Sequence, residues 1–168
     1  GPAKAATEAA LKAGKDGVTA NKALLAHHGH ALATQAESTK AVLRFEAAVA
    51  GGIPVIKSLT EALAGNDITR VMGVMNGTCN YILTRMQASG LSYDEVFAEA
   101  DALGYLEADP NLDVGGIDAA HKLALLSSIA FASQVNFDAV ETEGIGSISI
   151  DDIHRAAEGL RAQRSGCT

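Results

Sequence analysis

Tryptophan is absent from the 168 residues, aromatic side chains make up only 4%, and there are three prolines and two cysteines. A core without large aromatics must be built from Ala, Leu, Val and Ile, as in helix-rich α/β proteins. Cys79 and Cys167 have no second pair and no metal-ligand spacing, which predicts free thiols in a reducing compartment. No apolar run approaches the roughly 20 residues that span a bilayer, and the opening Gly1-Pro2-Ala3-Lys4 lacks the apolar stretch of a signal peptide. These absences predict a cytoplasmic protein with no membrane partner. The formal net charge is −7 and the Lys and Arg residues are scattered singly, which argues against nucleic acid. No Gly-x-Gly-x-x-Gly occurs, so the phosphate-cradling first strand and helix of a dinucleotide fold are missing.

What is present describes a folded chain: 48% of the residues are apolar and 20% charged. The length suits one domain, or one domain and part of a second. Ala6, Ala9, Ala10 and Leu11 share a helical face within Ala3 to Gly14, and Gly17-Val18-Thr19-Ala20 reads as a short strand. Asn21 is placed to cap a helix from Lys22 to His28. Alternation in Ala41 to Glu46 predicts a strand, and Gly51-Gly52-Ile53-Pro54 turns the chain into a helix reaching about Gly65. Ile68 to Val74 is β-rich. A helix follows from near Thr78, and Ser92-Tyr93-Asp94-Glu95 has the capping-box pattern of another, ending near Gly104. A central helix is expected from about Gly116 to Ala132, with Ile117, Leu123, Leu125, Leu126 and Ile129 buried. Ser147 to Ile150 is β-like, and a last helix starts at Asp151 or Asp152.

Chemistry concentrates between Gly104 and Lys122, where Glu107, Asp109, Asp113, Asp118 and Lys122 fall in a turn and a helix start. Asp118 and Lys122 are four residues apart and therefore neighbours on one helical face. Asp113 lies five residues earlier, in a loop or first turn. By themselves these residues also fit a surface ion pair, a helix-start aspartate and a turn at Asp109-Pro110. The apolar helix that follows at once sets Asp118 and Lys122 at the edge of a buried surface instead.

The run from Gly104 to Lys122 resembles the signature of the homoserine dehydrogenase family. The resemblance extends to Val18-Thr19-Ala20-Asn21-Lys22, Phe45 to Pro54, Asn76-Gly77-Thr78-Cys79-Asn80-Tyr81 and Glu143-Gly144-Ile145, covering about residues 3 to 159. It implies reversible hydride transfer between homoserine and aspartate 4-semialdehyde with NADPH or NADH, in threonine, methionine and isoleucine biosynthesis. The implied fold is α/β: part of a Rossmann-like nucleotide-binding unit in residues 1–38, an α+β substrate and dimerisation domain with a helix-covered sheet in 39–150, and a helix with a divergent tail in 151–168. A homodimer is implied as well.

The same resemblance assigns roles. Alcohol oxidation requires a residue that takes the hydroxyl proton and aldehyde reduction one that returns it. That residue is Lys122, with Asp118 holding its ammonium group; a free lysine, titrating near about 10.4, suits proton donation. Glu107 binds the substrate ammonium, Asp113 supports it, Thr78 donates to substrate or holds water, and Lys22 reaches in from the cofactor side. Lys22, Gly104 and Gly144 face the cofactor. A monovalent cation, usually sodium, is implied at Glu46 with the carbonyls of Val49, Gly51 and Ile53, a set of hard oxygen donors on a Gly-rich turn. The alternatives for these residues are loop carboxylates at Glu107 and Asp113, a solvated Lys22, an N-cap at Thr78, and a plain strand-to-helix turn at Glu46. His27, His28 and His30 are read as solvated and not as a zinc site, and Cys79 as a packing residue.

The resemblance stops after Gly159, and Leu106 replaces a normally small residue, so that it would crowd Glu107; Gly115 stands at an often polar position. The absent fingerprint and the divergent tail lead to the expectation of a truncated or frame-shifted gene product. Two other readings stand beside the enzyme: a non-catalytic remnant that keeps the substrate domain and its dimer interface, and a different nicotinamide-dependent amino acid or aldehyde dehydrogenase.

Overall fold

The computed structural model describes residues 1–106 and 109–165. They form two compact units. One comprises Gly1–Met75 with Ala119–Glu141, the other Asn76–Asp118 with the chain from Thr142 onward.

The first unit begins with α1 (Pro2–Lys12), whose single buried residue is Leu11. Gly14, at φ +67°, ends it in the left-handed conformation that a glycine adopts without strain. The strands β1 (Gly17–Val18) and β2 (Leu43–Arg44) pair in parallel. Asp16 reinforces the pair by accepting from the Val42 amide at 2.8 Å. Between them runs α2 (Lys22–Thr39), capped by the Asn21 side chain, which accepts from Leu24 N at 2.9 Å. This β–α–β order makes the unit α/β.

The helix expected to stop at His28 continues eleven residues further, to Thr39. Gly29 interrupts nothing: the helix runs on through it, and a Cβ there would make an ordinary contact with Val135 Cγ2 at 3.5 Å. The strand expected over Ala41 to Glu46 is reduced to two residues, because the chain turns at Glu46 into α3 (Glu46–Val49). Next come α4 (Val55–Lys57) and a π turn at Ser58–Ala62. Helix α8 (Ile117–Ala130) buries Leu125 and Leu126 in a core with Leu11, Leu25, Leu32 and Ile56, while Ile117, Leu123 and Ile129 are half-buried.

The β-rich run from Ile68 to Val74 makes no ladder among the described residues, and Met72 and Val74 are exposed. High β propensity shapes a backbone but yields a strand only where another edge supplies partners.

The second unit is built on α5 (Gly77–Ser89) and α6 (Tyr93–Ala102). Ile82 and Met86 from one helix and Val96 and Ala100 from the other are fully buried against each other. Truncating Ile82 or Met86 to alanine would cost about 2–5 kcal/mol. The Ser92 capping box is complete: Ser92 Oγ accepts from Glu95 N at 3.4 Å, and Glu95 Oε2 accepts from Ser92 N at 2.9 Å. Leu106 turns into this core.

Helix α7 (Asn111–Val114) follows the Asp109-Pro110 turn, and Gly116, at φ +85°, swings the chain into α8. The β-like run at Ser147 to Ile150 is instead the entry to α9 (Ile150–Ser165). Ser149 and Asp152 cap each other there, with Ser149 Oγ donating to Asp152 Oδ2 at 2.6 Å and accepting from Asp152 N at 3.2 Å. Local side-chain bonding to the backbone outweighs alternation.

Candidate functional site

Asn76 precedes Gly77, and with a short polar side chain it caps α5: its Oδ1 accepts from Cys79 N at 2.7 Å. The cap is therefore Asn76, two residues before the expected start near Thr78. An amide N–H needs an acceptor, so this bond fixes the oxygen end of the Asn76 amide and turns Nδ2 the other way. Nδ2 donates to Asp113 Oδ1 at 2.8 Å and to Asp118 Oδ2 at 3.0 Å. Asn76, Asp113 and Asp118 are all buried, at 8%, 4% and 5% exposure.

Two carboxylates drawn from α7 and α8 thus share one neutral donor. Buried polar atoms are nearly always partnered. Here Asp113 Oδ2 is buried without a hydrogen-bond partner, so the centre is acidic and presents an acceptor. Cys79 lies against it, its Sγ donating to the Asp113 carbonyl at 3.3 Å. Burial, and then the nearby charges of Asp113 and Asp118, push the Cys79 thiol above the ordinary cysteine range. That opposes a nucleophilic thiolate at neutral pH. Thr78 donates to the Tyr105 carbonyl at 3.1 Å.

Gly144 is explained by close backbone approach and Gly104 by its positive φ. A Cβ on Gly144 would stand 2.8 Å from the Val114 carbonyl oxygen, and Ile145 N donates to that same oxygen at 2.9 Å. Gly104, at φ +73°, closes the turn after α6. Glu107 lies outside the described residues, as does Cys167.

In the first unit, Lys122 Nζ donates to the Met75 carbonyl at 2.7 Å. Lys22 is half-buried in the first turn of α2. His121 is buried, with its ring 4.5 Å from Phe137 and 5.5 Å from that of exposed His27. Among the described residues no group of three or more His, Cys, Asp or Glu is placed to hold a metal ion. At the Gly-rich turn, the Glu46 carboxylate accepts from Ile56 N at 2.7 Å and from Lys57 N at 3.0 Å, with one bond on each oxygen. Each oxygen keeps acceptor capacity beyond that bond. The Ile53 carbonyl accepts from Val55 N at 2.8 Å, while Gly51 and Ile53 are exposed.

The structure thus brings Asp113 and Asp118 together around Asn76, with Thr78 on the helix that Asn76 caps. Asn76 itself is the participant that sequence reasoning passed over. Its signal was a cap residue with one more hydrogen-bonding arm than a cap requires.

Fold and site together define a helix-rich α/β protein with a buried acidic centre beside a helix N-terminus. The family model described as homoserine dehydrogenase matches residues 54–165. A homoserine dehydrogenase of Pseudomonas aeruginosa is 50% identical over 158 residues, 94% of this chain and 36% of that protein. Among solved structures, a homoserine dehydrogenase from Thiobacillus denitrificans superposes with a TM-score of 0.91 at 46% identity, covering 94% of this chain and 36% of that one. A hyperthermophilic archaeal homoserine dehydrogenase in complex with NADPH superposes at 0.78 with 33% identity, covering 88% and 45%. The chain belongs to the homoserine dehydrogenase family. It spans about a third of the length of the curated relatives it matches.

Proposed function

We propose that this chain carries the substrate-binding and proton-transfer residues of a homoserine dehydrogenase, acting reversibly between L-homoserine and L-aspartate 4-semialdehyde. The observation that carries the reading is Asp113 Oδ2, a buried carboxylate oxygen with no donor. Leaving such an atom unpaired is costly, and the ammonium group of an amino acid substrate supplies both the missing hydrogen bond and the opposite charge. Glu107 shares that ammonium, and Thr78, whose hydroxyl proton goes to the Tyr105 carbonyl, offers its oxygen to substrate or to an ordered water.

Lys122, directed by the Met75 carbonyl, gives a proton from Nζ to the aldehyde oxygen in reduction and recovers it from the hydroxyl in oxidation. Asp118 holds its ammonium group. NADPH or NADH, when bound, supplies or accepts the hydride. Lys22, Gly104 and Gly144 are the residues here that would line its side of the site. Residues 1–38 would belong to the cofactor-binding domain and 39–150 to the substrate domain, with 151–168 a helix and tail.

Glu46, with the carbonyls of Val49, Gly51 and Ile53, would hold a monovalent cation, probed by the potassium and sodium dependence of Glu46→Gln. The exposed apolar run at Met72 and Val74 supports a homodimer. No helix of the described residues is long and apolar enough to cross a membrane, in keeping with a cytoplasmic location.

The test is titration calorimetry with homoserine, together with NADPH consumption in the presence of aspartate semialdehyde. Homoserine binding that weakens at least tenfold in Asp113→Asn is expected. Preference for a different amino alcohol or aldehyde, or no binding at all, overturns the reading.

A further inference from the structure

Capping alone does not explain Asn76. Ser, Thr and Asp cap helices about as well as Asn, and the cap uses only its Oδ1, through Cys79 N. What Asn adds is an amide nitrogen with two hydrogens. One goes to Asp113 and the other to Asp118, from a side chain that is itself buried. Two like charges in a poorly polar surrounding repel, and a pair so placed ordinarily sheds one charge or recruits a cation. A lysine or arginine at position 76 would hold both acids but cancel the negative charge that attracts a cationic ligand. A neutral amide fixes the two carboxylates without adding a positive charge beside them.

We propose, building on the function above, that Asn76 is a positioning residue for substrate. It clamps Asp113 Oδ1 so that Oδ2 is held toward the substrate ammonium, and it ties Asp118 to the same frame. Its contribution therefore falls on recognition of the amino group and not on recognition of the cofactor.

The experiment compares unsubstituted protein, Asn76→Ser and Asn76→Asp in the full-length polypeptide. Steady-state kinetics are measured with homoserine, with its analogue lacking the amino group, and with the nicotinamide cofactor. Serine keeps the cap and loses the clamp; aspartate keeps cap and shape but turns a carboxylate toward two others. For Asn76→Ser the homoserine KM should rise about tenfold to a hundredfold, the scale of a lost hydrogen bond to a charged group. The cofactor KM should stay within twofold, and preference for homoserine over the deaminated analogue should fall in parallel. Asn76→Asp should lose more.

Kinetics of Asn76→Ser equal to the unsubstituted protein overturn the proposal, as does a loss shared equally by both substrates and the deaminated analogue. An unfolded Asn76→Ser protein would assign the residue to folding and also overturn it. If the unsubstituted protein neither binds nor turns over homoserine, the functional reading fails first and this inference falls with it. Turnover that is indifferent to Asn76 refutes the inference alone.

Discussion

Lys122 Nζ donates to the main-chain carbonyl of Met75 at 2.7 Å. A carbonyl directs the ammonium group without taking a proton from it. On the proposed role in proton transfer, Lys122→Met should lower turnover about 10²–10⁴-fold, the usual worth of a general acid or base. Lys122→Arg should rescue little, since a guanidinium does not release its proton near neutrality. NADPH consumption measures both, with circular dichroism to show that the fold is kept.

Gly144 admits no side chain. A Cβ would stand 2.8 Å from Val114 O and 3.2 Å from Gly115 Cα, and neither backbone can swing aside. Gly144→Ala should destabilise the protein by about 1–3 kcal/mol, as overpacking does. Gly65→Ala, where nothing lies within 4 Å, should be near neutral. Denaturant midpoints of the two variants make the comparison.

Cys79 should be a slow thiol. Its upward shift comes first from burial and then from Asp113 and Asp118, so the reactive thiolate is scarce at neutral pH. In a Cys167→Ser background, iodoacetamide labelling should lag behind free cysteine at pH 7 and keep accelerating above the pH where free cysteine levels off. Asp113→Asn should speed it at pH 7. Labelling as fast as free cysteine would contradict the burial.

The Ser92 capping box should show a defined acid response. Hydrogen bonds from Ser92 hold the Glu95 carboxyl below its ordinary range. A depressed carboxylate contributes stability that is present above its unfolded value, about 4.3, and is lost as pH falls through the lower folded one. Ser92→Ala should cost about 1 kcal/mol at pH 7. Thermal melts should show the gap between variant and parent narrowing below pH 4.

Much of this was legible in the sequence because it was local. The Asn21 and Ser92 caps, the helix end at Gly104, the burial of Leu125 and Leu126, and the family itself all announce themselves within short windows of residues. What was hidden depended on distant partners. Gly29 reads as a helix end, yet α2 runs through it to a left-handed Lys40. Ile68 to Val74 reads as a strand, but strandness is conferred by a neighbouring edge. Asn76 reads as a turn residue until Asp113 and Asp118, 37 and 42 positions away, arrive at its amide.

The residue that follows Asn76 is a glycine, and Asn-Gly is the dipeptide in which the next amide nitrogen most readily attacks the side-chain carbonyl, closing a succinimide and releasing ammonia. In this protein that ageing reaction would convert the neutral clamp into a third acid. Gly77 is already wound into the first turn of α5 and the Asn76 amide is engaged at both ends. The hydrogen bonds that arrange the two aspartates therefore also serve as a preservative, and the centre's shelf life is set by how seldom α5 frays.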